Sequence, residues 1–203
     1  MKEYPHMMGP NKAPRLHCIA FEKYDGSNMR FEWGRKNGWW KSGRRHGLVD
    51  DTHELGQAIE LFGKKYAEPI EKAIMDSRKY RNAERVIAFA EFFGPNSFAG
   101  RHDPNDEKDL MLFDVFVHKK GFVGPRDFLR MFGEMGVARP VYEGMMNDTL
   151  INDVRKGRYG VKEGVVCKAM VGDEMWMWKI KTLAYMERLK GAFANGIWQR
   201  YWE

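Results

Sequence analysis

The 203-residue chain is 43% hydrophobic and 14% aromatic, which gives it material for a core and excludes intrinsic disorder as its overall description. Its 34 Lys and Arg exceed its 28 Asp and Glu, a net charge of +6, and no stretch approaches the roughly 20 apolar residues of a membrane span. Cys18 and Cys167 are the only cysteines, so no CxxC can form a zinc knuckle or redox pair. The opening MKEYPHMMGP lacks the apolar stretch of a signal peptide. A soluble, cytoplasmic protein with reduced thiols is expected. From Arg155 to the end, ten Lys or Arg stand against five Asp or Glu, which points to a polyanionic partner. A solvated charged face is the alternative.

In chain order, residues 15–23 read as a strand ending at a turn on Asp25-Gly26, and 28–34 with 38–42 as a hairpin. Leu55, Ile59, Phe62, Tyr66, Ile70 and Ile74 recur at helical spacing across 53–76. Pro69 should interrupt that helix or divide it in two. The runs 84–93 and 110–118 are β-rich and separated by a polar loop. A helix should start near Pro125 and run to about 135, since proline is tolerated in a first turn. The pattern leaves 136–161 unassigned, then gives strands at 162–169 and 174–181. Leu183, Met186, Leu189, Phe193 and Ile197 lie on one helical face of 183–201, weakened by Gly191 and Gly196. The class is α+β with mainly antiparallel strands.

There is no GxxxxGK[ST], GxGxxG or HExxH, so any bound phosphates must be held by side chains. Five segments carry candidate chemistry: EKYDGSN (22–28), KSGRRHG (41–47), FAEFFG (89–94), KEGVVCKA (162–169) and WKIKT (178–182). Each alone has a bland reading. Asp-Gly is a common hairpin turn, Glu91 or Glu163 could be a strand-end ion pair, and Lys179 with Lys181 could be the wet face of a strand.

Together, in this order, they resemble the covalent nucleotidyltransferase superfamily of DNA ligases, RNA ligases and mRNA-capping enzymes. KYDGSN is similar to motif I, GRR to motif Ia, AEFFG to motif III, LFDVFV to motif IIIa, EGVVCK to motif IV and WKIK to motif V. The motifs run from residue 22 to 182, nearly the whole chain. DNA ligases and capping enzymes usually carry arginine where Asn28 stands, and GSN resembles the GTN of the RNA ligase 2 group. Asp25 is the DNA-ligase-like choice, and Ala90 replaces a glycine common before the motif III glutamate.

The resemblance implies an ATP-dependent RNA ligase that joins 5′-phosphate and 3′-hydroxyl ends through a covalent lysyl-AMP. A free lysine titrates near about 10.4, whereas the attacking amine must be neutral, and burial and neighbouring cations favour that form. By resemblance Lys23 is the nucleophile, Glu22 helps define the adenine site, Phe113 stacks on the base, and Glu91 with Arg45 or Arg44 holds the ribose. Asn28 serves strand joining, Glu163 engages the metal, Mg2+ or Mn2+, and Lys179 and Lys181 contact the α-phosphate. The expected partner is nucleic acid, RNA before DNA, with a nicked duplex or RNA/DNA hybrid among the substrates, no membrane, and a monomeric protein. A minimal ATP-dependent DNA ligase and a non-catalytic nucleic-acid-binding module are the alternatives; nick and single-strand sealing both stay open.

Trp39, Trp40, Trp176 and Trp178 are expected to pack more than to stack on bases, and His46, His53, His102 and His118 lack metal-ligand spacing. Lys181 stands 22 residues before the end, fewer than the roughly 25 that five strands of about five need. The expectation is a single nucleotidyltransferase domain over 1–203, antiparallel sheets flanked by helices, with no OB-fold, of the small kind that suggests a phage.

Overall fold

The structure is a computed structural model that describes residues 1–193 and 196–202. Its strands are β1 (His17–Lys23), β2 (Ser27–Gly34), β3 (Gly38–Arg44), β4 (Leu48–Val49), β5 (Arg85–Phe93), β6 (Asp109–Val117), β7 (Gly121–Phe122), β8 (Pro140–Met145), β9 (Gly164–Val171) and β10 (Glu174–Lys181). The α-helices are α1 (Gln57–Phe62), α2 (Glu68–Asp76), α3 (Pro125–Phe132), α4 (Asp148–Arg155) and α5 (Leu183–Ala192). The class is α+β with antiparallel sheets, as the sequence pattern implies. The chain divides into two compact units, one of Met1–Pro5 and Gly26–Val137, the other of His6–Asp25 and the described residues from Ala138 onward.

The first unit holds a six-stranded sheet in the order β4-β3-β2-β5-β6-β7. On β2, alternation puts Met29, Phe31 and Trp33 on one face and Arg30 and Glu32 on the other, all five buried; on the apolar face the Phe31 ring stacks on Phe62 at 3.9 Å. The expected long helix is present, but a turn of π-helix, Gly63–Ala67, separates α1 from α2. Two facts explain it. Pro69 has no N–H to give the Lys65 carbonyl, and steps of four from Phe62 to Tyr66, Ile70 and Ile74 overrun the 3.6-residue period. A widened turn absorbs both. It also places the Tyr66 hydroxyl 2.9 Å from the Leu110 carbonyl and 2.8 Å from that of Gly136.

In the second unit the order is β10-β9-β1-β8. Cys18 and Ala20 of β1, Val165 and Cys167 of β9, and Trp178 of β10 form its core with Leu150 and Val154 of α4. Neither β8 nor α4 was assigned from sequence. Strand β8 is an edge strand that opens on Pro140, where a missing N–H does little harm. Helix α4 is short, yet its start signal is legible: the Asn147 side chain accepts from the Leu150 amide at 2.9 Å. Towards the end, the expected helix over 183–201 stops at Ala192, and a 3-10 turn, Ile197–Tyr201, follows Gly196 at φ +76°. Leu183 and Ile197 are exposed, and Tyr185, Met186 and Leu189 make the buried face. The expected continuation through 194–195 lies outside the described residues.

Two glycines fix backbone close to the motif residues. A Cβ on Gly26 would stand 2.1 Å from the Phe92 carbonyl oxygen, and one on Gly164 2.1 Å from that of Ile180. Gly26→Ala and Gly164→Ala are each expected to lower stability by about 1–3 kcal/mol, the cost of forcing atoms into a packed site. Urea unfolding should show lower midpoints for both, and unchanged midpoints would show that this backbone yields freely.

Candidate functional site

Strand register builds the centre of the four-stranded unit. Gly164, first residue of β9, pairs with Lys23 of β1 on one side and Lys181 of β10 on the other. Glu163, one residue earlier, therefore lies between two strand-end lysines. Its Oε2 accepts from Lys23 Nζ at 2.8 Å and its Oε1 from Lys181 Nζ at 2.9 Å. The Glu163 and Lys181 side chains are 3% and 6% exposed, and Lys23 keeps 21%. Thr182 holds the turn in place: its amide donates to the Glu163 carbonyl at 2.9 Å and its hydroxyl to that of Lys162 at 3.0 Å. The same hydroxyl accepts from the Tyr185 amide and caps α5.

Alternation puts Lys168 and Lys179 on the sheet face that carries Lys23 and Lys181. Lys168 is buried, its ammonium 4.7 Å above the Phe21 ring. Register puts Glu143 of β8 on this face as well, so four lysines share it with the Glu163 and Glu143 carboxylates, a cationic excess suited to polyphosphate. Glu22 points to the opposite face. Its Oε2 accepts from Arg139 Nε at 3.0 Å and from the Tyr24 hydroxyl at 3.5 Å. Burial first, and then the Glu22 carboxylate, push the Tyr24 phenol up to about 12.

The remaining candidates lie in the six-stranded unit. Glu91 accepts from the Gly26 amide at 3.1 Å through Oε1. Asn28 is its cross-strand partner, so the two side chains are neighbours on one face. Phe113 is half-buried, and the Tyr4 ring meets it edge-on at 5.1 Å. The Tyr4 hydroxyl donates to Asp114. Arg44 ends β3 and Arg45 follows it; both are exposed, and with Asn28 both line a cleft of about 910 Å³. The ten candidates thus fall into two sets of five: Glu22, Lys23, Glu163, Lys179 and Lys181 in one unit, Asn28, Arg44, Arg45, Glu91 and Phe113 in the other.

Sequence reasoning passed over Arg139, the partner of Glu22 at a separation of 117 residues, for which no local signal exists. It also treated His102 as ordinary, whereas its ring lies between the Ser27 and Ser97 hydroxyls at 2.9 and 3.1 Å. Trp178 is fully buried and Trp39 bonds the Ala67 carbonyl at 2.8 Å, while Trp40 is exposed beneath the Lys41 ammonium. No cluster of three or more His, Cys, Asp or Glu that could hold a metal occurs among the described residues. Glu163, the carboxylate expected to engage the metal, has both of its oxygens held by lysine ammonium groups.

A family model described as RNA ligase matches residues 16–180. Among solved structures, the Naegleria gruberi RNA ligase with PPi aligns with a TM-score of 0.68 at 16% identity, over 94% of this chain and 58% of that one. An archaeal ATP-dependent RNA ligase aligns at 0.65 and 15%, over 97% and 52%. A protein described as a putative ATP-dependent DNA ligase, from Aquifex aeolicus, aligns at 0.63 and 15%, over 98% and 57%. At these identities the likeness establishes the fold, and the chain spans 52–58% of the length of these three. No curated protein matches the chain.

The buried bridge makes a prediction about stability. Removing one partner of a buried ion pair leaves the other charge uncompensated, typically a loss of about 3–5 kcal/mol. Glu163→Ala should destabilise by that order, and adding Lys181→Met to it should recover part of the loss. A double-mutant cycle in urea measures the coupling. Additive effects would show that the two side chains are independent.

Proposed function

Because the chain belongs to the RNA ligase family, we propose that it seals polynucleotide ends with ATP, acting through AMP held covalently on Lys23. The observation that carries this reading is the Glu163 carboxylate set between the Lys23 and Lys181 ammonium groups, with Lys179 on the same face. In the first step the Lys23 amine attacks the α-phosphorus of ATP. An N–P bond forms, the α–β P–O bond breaks, and pyrophosphate leaves. The AMP then passes to the 5′-phosphate of a strand, and a 3′-hydroxyl displaces it to make the phosphodiester.

Each role in this scheme belongs to a residue of the chain. Lys23 must give up a proton before it attacks, and Glu163, 2.8 Å away, holds that ammonium in the resting arrangement. Lys179 and Lys181 neutralise charge on the α-phosphate as pyrophosphate departs. Glu22, fixed by Arg139, borders the adenine. Glu91 and one of Arg44 and Arg45 bind the ribose, Phe113 packs on the base, and Asn28 acts in strand joining. A divalent cation at Glu163 would neutralise phosphate charge when bound. Support for these ligands comes from the Naegleria enzyme, described with ATP and Mn, with AMP and Mn, and with PPi. We take residues 1–203 to work as one nucleotidyltransferase domain, with RNA preferred on the evidence of Asn28 in the GSN sequence.

Two experiments check the reading. With labelled ATP, the protein should acquire label that survives denaturation, and Lys23→Ala should acquire none. That variant should still seal ends that already carry AMP, because the nucleophile is needed only for loading. Undiminished labelling of Lys23→Ala would remove Lys23 from its role. For the substrate, four matched nicked duplexes with RNA or DNA on each side of the break should be sealed fastest when RNA supplies the 3′-hydroxyl, since the 2′-hydroxyl lets a site tell the two apart. Equal or faster sealing of the all-DNA nick would favour the DNA ligase reading, with which Asp25 agrees.

A further inference from the structure

The chain enters β2 through Gly26, Ser27 and Asn28, and this entry is pinned from both faces of the sheet. On one, the Gly26 amide donates to Glu91, the cross-strand partner of Asn28. Alternation sends Ser27 to the other face, beside its own partner Phe92. There the Ser27 hydroxyl lies 2.9 Å from His102 Nε2, and the Phe92 and His102 ring centroids are 5.3 Å apart. The contact between Ser27 and His102 has no part in the scheme above.

His102 is itself held firmly. Its Nδ1 lies 3.1 Å from the hydroxyl of the buried Ser97, which accepts from the Gly94 amide at 2.8 Å. Just before it, Phe98 and Arg101 exchange backbone hydrogen bonds of 3.0 and 2.9 Å. Just after it, Asp106 accepts from the Asn96 amide and side chain, both at 2.8 Å, and lies 3.7 Å from Lys108 Nζ. A Cβ on Gly94 would stand 2.6 Å from the Asp106 carboxylate, so the loop closes tightly on its own ends. Burial, and then Lys108, hold the His102 imidazole below its usual value, against the pull of Glu54 and Asp106. A neutral ring has one donor and one acceptor, and two hydroxyls satisfy both in either tautomer.

We propose that His102 is a positioning residue for strand joining: through Ser27 it fixes the backbone from which Asn28 reaches the reacting ends. This deepens the ligase reading and rests on the role given there to Asn28. The physical reason is leverage. Asn28 is the next residue along, so a shift of the strand end at Ser27 re-aims its side chain, and a misplacement of about 1 Å costs on the order of a hundredfold in rate. Nucleotide loading depends on Lys23, which lies in the other unit and is held by Glu163. His102 touches neither.

The test measures the two steps separately on the full chain. Sealing is followed in a single turnover without ATP, with a divalent cation and a nicked RNA duplex whose 5′ end already carries AMP. His102→Ala should slow it on the order of tenfold, the worth of one well-placed hydrogen bond. AMP attachment to Lys23 from ATP should stay within about twofold. His102→Gln should recover most of the sealing rate, because its amide offers both a donor and an acceptor. Ser27→Ala should repeat the defect, and the double variant should seal no more slowly than either single one. Undiminished sealing by His102→Ala would overturn the proposal. Loss of both steps with a lowered melting temperature would also overturn it, since that marks a brace for the fold alone, as would a His102→Gln variant no faster than His102→Ala. Asn28→Ala is measured beside them: normal sealing by that variant removes Asn28 from its role and this proposal with it. Failure of the unaltered protein to acquire AMP is, separately, the failure of the ligase reading.

Discussion

Taking a carboxylate out of water carries a penalty of several kcal/mol unless cations and hydrogen bonds replace the solvent, and Glu163 meets that condition with one lysine on each oxygen. This constraint organises the four-stranded unit. The two ammonium groups must arrive from opposite sides of the same residue, which requires three antiparallel strands to end in register. Gly164 supplies that register by pairing with both Lys23 and Lys181, and it has no room for a side chain against the Ile180 carbonyl. Thr182 then joins the two ends and starts a helix with the same hydroxyl.

The arrangement also suits the proposed chemistry. A nucleophilic amine has to be held near the reacting phosphorus, and it must not be trapped as a fully buried ion. Lys23 is the most exposed member of the trio, and its carboxylate partner is shared with a second lysine instead of being its own. Preorganised charge of this kind acts where negative charge develops during phosphoryl transfer. In the six-stranded unit the same economy recurs. Gly26 brings its amide to Glu91, and the next strand position but one, Asn28, faces that glutamate across the sheet.

Much of this was legible in the sequence because strand-end motifs are local. The KYDGSN, EGVVCK and WKIK segments each contain their lysine or carboxylate at a fixed place in a short β pattern, and the long strands follow from alternation, whereas β4, β7 and the edge strand β8 do not. Pairings between distant segments were not legible. Arg139 reaches Glu22 from 117 residues away, and nothing local marks it. His102 reads as an isolated histidine until the fold sets it between two serines. The basic tail shows a related limit: composition records charge, and only packing shows that Arg155, Arg158 and Lys168 have partners within the protein. The π turn before Pro69 was foreshadowed by the proline and by the spacing of four, but the way in which the helix would break was not.

The central claim is that Lys23, the more exposed of the two amines held by Glu163, takes up the nucleotide. Peptide mapping by mass spectrometry after incubation with ATP and a divalent cation tests it most directly. The account predicts a single AMP adduct, joined through nitrogen, on the peptide that contains Lys23. An adduct on Lys179, Lys181 or any other residue, or none from a folded protein, would contradict it.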